Sequence, residues 1–69
     1  MSFETALNSL TGQVRKRAET LLDAFESGQI SQGTFITALA DVVGQARAQG
    51  ATYAVAVLRD YVEIGRAHV

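Results

Sequence analysis

Apolar side chains recur along this chain at steps of three and four from Phe3 to Ile64, a rhythm that fits helices and excludes strand alternation. In the first half they fall at Phe3, Leu7, Leu10, Val14, Ala18, Leu21, Leu22 and Phe25. Each residue of a helix advances by about 100°, so these positions form one stripe. Arg15, Lys16, Glu19, Asp23 and Glu26 occupy the opposite side. Ser2 is placed to cap the start, and Glu4 suits the positive end of the helix dipole. Gly12 falls on the polar side, where it costs about 1 kcal/mol without opening the apolar face. These features predict a first helix over about residues 2–27.

The chain then reverses. Gly28 can close the first helix in the left-handed conformation. Ser31 is a good N-cap for the next, and Ile30 and Phe35 are spaced as a hydrophobic staple. Residues 28–31 therefore predict a tight turn between two antiparallel helices. Beyond it, Phe35, Leu39, Val42, Val43, Ala46, Gly50, Tyr53, Val57, Tyr61 and Ile64 keep one phase. That continuity predicts a single long helix over about 32–65, with Gly50 as a bend or a close-packing point. The expected fold is all-α, a single-domain antiparallel hairpin over residues 1–69 with unequal arms and coiled-coil-like packing. Its core would comprise Leu7, Leu10, Val14, Leu21 and Phe25 from the first arm. Phe35, Leu39, Val43, Tyr53 and Val57 would face them from the second.

From Ala51 onward a second stripe appears, at Ala51, Ala54, Val55, Leu58 and Val62, about 120° around the helix from the first. A helix apolar over so wide an arc has to be covered on more than one side. The first helix can cover only one. The second stripe is therefore expected to be an interface with a protein partner or with another copy of the chain. A charge at Leu58 should then break association, and a charge at Leu39 should unfold the hairpin. A chain this small also has burial and ordering terms that nearly cancel, which favours a partner for any fold short of a compact globule.

Composition excludes several kinds of function. Six Lys and Arg against seven Asp and Glu give a net charge of −1. Neither half of the sequence is basic, which argues against coating a phosphate backbone. The one basic cluster, Arg15-Lys16-Arg17, shares its helix with four acids and reads as a solvated face with pairs such as Arg15–Glu19. With no cysteine and one histidine, there is no material for a structural zinc site. His68 lacks the nucleophile and orienting carboxylate that a general base needs. Asp60 and Glu63, one turn apart, read as solvated carboxylates, and the tyrosines as core residues with their hydroxyls at the rim. No cofactor, metal or enzymatic activity is expected. The longest apolar run, Ala54-Val55-Ala56-Val57-Leu58, is far short of a membrane span of about 20 residues, and no secretory signal is visible. These features predict a soluble, intracellular chain.

Three segments carry a family resemblance: Leu21-Leu22-Asp23-Ala24-Phe25, then Gly28-Gln29-Ile30-Ser31 with Phe35 beyond, then Gln45-Ala46-Arg47-Ala48-Gln49-Gly50-Ala51-Thr52-Tyr53. Over about residues 14–62 the chain resembles a helical segment of the Mu F-like minor head, or head-morphogenesis, proteins of tailed actinobacterial phages. The resemblance implies a virion component seated near the portal or inner shell, with capsid or portal proteins as partners, and brings no catalytic residues. The expected function is a non-enzymatic structural or assembly protein, a small adaptor whose apolar C-terminal helix docks on a partner or on itself. The alternative is a small cytoplasmic dimeric regulator, antitoxin-like or associated with nucleic acid.

Overall fold

The computed structural model describes residues 3–68, with side chains over 3–67. The expected cap Ser2 and the His68 side chain lie outside the described residues. Among the described residues there are four helices and no strand: α1 (Phe3–Asn8), α2 (Gly12–Glu26), α3 (Gln32–Ala48) and α4 (Thr52–His68). The chain is all-α, and the reversal at 28–31 is where the sequence places it. Gln29 N–H donates to Ala24 O at 2.9 Å and Gly28 N–H to Phe25 O at 3.1 Å. This pair of bonds is a Schellman cap, closing α2 over its last free carbonyls. Ser31 Oγ accepts from Thr34 N–H at 3.2 Å and opens α3. Ile30 lies half-buried against the core that Phe35 helps to fill.

Two expected continuities are broken. The first helix is interrupted at residues 9–11, where Ser9 Oγ donates to Ala6 O at 2.7 Å and draws the chain out of the helical ladder. Gly12 follows at φ +60°, a conformation that side chains rarely adopt. Leu10 remains buried across the gap, so the apolar spacing does not betray it.

The long second helix is also two helices. Gly50 sits at φ +74°. Ala51 N–H reaches Ala46 O at 3.0 Å and Gly50 N–H reaches Arg47 O at 3.0 Å, the same cap as at Gly28. Gly50→Ala is expected to cost about 1–2 kcal/mol, because its backbone would have to hold a Cβ in the left-handed region. Urea denaturation measures this, and an unchanged midpoint would show that Gly50 does not fix the turn.

The helices close on themselves. α3 packs most extensively on α4, then on α2, while α1 touches both α4 and α2, so that neighbours form a ring. Contacts along α2 and α3 run in opposite order: Phe25 with Phe35, Arg17 with Asp41, and the backbone of Thr11, the N-cap of α2, with the Gln49 side chain. Gly65 of α4 lies against Ile36 near the start of α3, since a Cβ at Gly65 would fall 2.6 Å from Ile36 Cγ1. Both α2–α3 and α3–α4 are therefore antiparallel. The core holds Ala6, Leu7, Leu10 and Ala18 from the first half, and Phe35, Ile36, Leu39, Val42, Val43 and Ala46 from α3. Ala54, Val57, Leu58 and Val62 of α4 complete it. The accessible surface is 4284 Å², close to the roughly 4,200 Å² of a compact monomer of this mass. The radius of gyration is 11.0 Å, which is also the value of about 11 Å for a compact chain of this length. Among the described residues no arm overhangs. The second stripe of α4 is covered within the same chain, which packs α4 against α3 and α1, while Tyr53, Tyr61 and Ile64 stay exposed.

Candidate docking face

The expected interface of Ala51, Ala54, Val55, Leu58 and Val62 is not a free surface. Ala54, Leu58 and Val62 are buried in the core, and Ala51 and Val55 are half-buried against it. The reason is the turn at Gly50, which folds α4 back along α3 and gives this face an intramolecular partner. The α4 part of the stripe expected to face the first helix moves outward instead, except for buried Val57. Tyr53 is 36% exposed, Tyr61 41% and Ile64 60%. Tyr61 retains one core-side contact, an edge-on approach to the Phe3 ring at 5.0 Å. Of the other expected core residues, Leu7, Leu10, Phe35, Leu39 and Val43 are buried, while Val14, Leu21 and Phe25 are only half-buried.

Those three half-buried residues belong to α2, the least covered of the longer helices. Its apolar stripe is touched by α3 and by short α1 but not by α4. Ala18 is its one fully buried residue, against six in α3. What remains uncovered forms an open groove of about 880 Å³ between α2 and α3, with Val14, Leu21, Ala24, Ile30, Thr34 and Ala38 along it and Lys16 and Arg17 on its rim. No carboxylate lines that groove. Arg17 extends across it to Asp41 of α3, with Nη2 to Oδ2 at 2.9 Å, so its aliphatic stem spans the interhelical seam. The other flank of α2, facing α1, is acidic: Glu4, Glu19, Asp23 and Glu26 surround Leu7 and Leu22.

The remaining charges are set on the outside. Arg15–Glu19 pairs at 3.3 Å, as the spacing predicts, and Arg59–Glu63 at 3.4 Å. No polar or charged side chain is buried among the described residues, and no group of three or more His, Asp or Glu there could hold a metal. None of the helices is long and apolar enough to cross a membrane. What the arrangement offers chemically is contact: an apolar floor, small side chains that permit close approach, and a cationic rim. The sequence carries a signal for this face, in that Val14, Arg17, Leu21 and Ala24 follow the three–four spacing of a helix-packing seam. Comparison with protein-family models, curated proteins and solved structures gave no match.

Proposed function

We propose that this chain is a non-enzymatic assembly protein, a small helical adaptor that works by docking its α2–α3 face on a protein surface. The observation that carries the reading is the incomplete cover of α2, which leaves Val14, Leu21 and Phe25 half-buried and only Ala18 fully buried, where α3 buries six apolar residues. Apolar grooves between helices are where amphipathic helices dock. The setting we propose is the head or portal region of a phage particle, supported by the resemblance of residues 14–62 to minor head proteins. A portal or capsid gene beside this one would support that setting. A toxin or regulator gene would favour the regulatory alternative.

The docking role is tested with a photo-crosslinking side chain placed at Ala24 in the groove and, as a control, at Asp60 on the exposed face of α4. The expected result is a defined protein adduct from position 24 and none from position 60. Adducts from 60 alone, or from neither, would overturn the reading.

A further inference from the structure

We infer that the α2–α3 groove receives an acidic amphipathic helix of another protein, one whose apolar stripe is flanked by Asp and Glu. The inference rests on the docking reading above and names the chemistry of the partner. It comes from where the charges fall, which the net charge of −1 conceals. The groove is continuous with a second depression over the first turns of α3, since Arg17, Thr34 and Ala38 line both. Lys16, Arg17 and Arg66 border this combined surface, against a single carboxylate, Asp41. Asp41 is taken up by Arg17 at 2.9 Å. Lys16 and Arg66 are exposed and have no hydrogen-bond or ion-pair partner among the described residues. Four of the seven acids, Glu4, Glu19, Asp23 and Glu26, line the opposite flank of α2 instead.

The floor of the groove is apolar and half-buried at Leu21, Ala24, Ile30 and Ala38. A helix laid along the seam would bury anchors at steps of three and four on that floor. Its carboxylates would then reach toward Lys16 over α2 and toward Arg66 over the start of α3. Small side chains at Ala24, Thr34 and Ala38 let the two axes come close. A second copy of the chain does not fit. Groove against groove would bring like charges together, since no carboxylate lines it. On the chain's own acidic flank Leu7 is buried and Leu22 packs against the core, so no free apolar stripe remains to fill a groove. Nucleic acid would meet an apolar floor and two free cations, where binding a phosphate backbone calls on many more.

The test is fluorescence anisotropy with two labelled helical peptides of about 16 residues, matched in length to α2 and α3. Both carry leucines at steps of three and four; one is flanked by glutamates and its twin by lysines. The acidic peptide is expected to bind with a Kd below about 1 mM, at least about tenfold tighter than its twin, and to weaken as salt rises. Lys16→Glu and Arg66→Glu should each weaken it about fivefold, with helical content unchanged. Arg15→Glu makes the same change in net charge on the opposite flank of α2, and should leave the affinity within about twofold. No binding of the acidic peptide up to about 1 mM would overturn the inference. So would equal binding of the twins, or equal losses from Arg15→Glu and Lys16→Glu. Displacement of the peptide by a short DNA duplex, or self-association of the parent that Lys16→Glu abolishes, would overturn it in favour of nucleic acid or of a second copy. Crosslinks from position 24 to a partner segment that lacks an acid-flanked helix would overturn it while leaving the docking role intact. Absence of any such crosslink is the separate failure of that role.

Discussion

Leu58→Asp is expected to unfold the protein as thoroughly as Leu39→Asp. Both side chains are 0% exposed and belong to one core, Leu39 on α3 and Leu58 on α4. Truncating a buried leucine to alanine alone costs about 3–5 kcal/mol. A carboxylate in its place adds the penalty of an unpaired charge in an interior where no polar side chain among the described residues is buried. A domain of this size has about 5–10 kcal/mol of stability at most, so the sum exceeds or consumes it. Far-UV circular dichroism at 25 °C, with sizing of the same samples, is the measurement. Both variants should lose most of their helical signal and expand. Retained helicity in Leu58→Asp together with loss of an oligomer would restore that face of α4 as an intermolecular surface.

The reason that outcome reverses the sequence expectation lies in a few residues. Periodicity shows that a segment is helical and which side chains share a face, and both held for α2, α3 and the turn at 28–31. It does not show which element covers the face. The break at Gly50 was legible: Gln49-Gly50 closes α3 with the same backbone bonds that Ser27-Gly28 uses to close α2. The apparent continuity of phase from Ala46 through Tyr53 concealed it. The change of stripe at Ala51 was legible too, but as a second interface rather than as the core face of a new helix. Once the chain turns back at Gly50, Ala54, Leu58 and Val62 face α3, and Tyr53 and Ile64 face solvent. The break before Gly12 left no such trace, because Leu10 keeps its place in the stripe and stays buried. The groove on α2 was written in the sequence as Val14, Arg17, Leu21 and Ala24. Its incomplete cover follows from α4 packing on α3 and α1 and not on α2, which the apolar spacing does not reveal.

Phe35→Ala is the second substitution with a large expected effect, because one ring joins three helices. Phe35 stands at the start of α3, stacked on Phe25 of α2 with centroids 4.4 Å apart and planes 11° from parallel. Phe3 of α1 lies 6.4 Å away on its other contact, and Phe3 in turn meets Tyr61 of α4. The cluster ties all four helices together at the end of the bundle where the α2–α3 turn lies. Aromatic pairs add about 0.5–1.5 kcal/mol beyond the area they bury, and removing a buried phenylalanine costs about 3–5 kcal/mol in all. Phe35→Ala should therefore lower the unfolding free energy by about that amount, a large share of the total for so small a domain. Phe35→Leu keeps most of the volume and loses the stacking, so its cost should stay near 1.5 kcal/mol, roughly the limit for tolerated core swaps. Urea denaturation of the parent and both variants, with the slope of the transition compared alongside its midpoint, gives both figures. A cost below about 1.5 kcal/mol for Phe35→Ala would mean that the aromatic cluster is filling rather than a joint. The four helices would then be held together by the aliphatic layers around Leu39 and Leu58 alone.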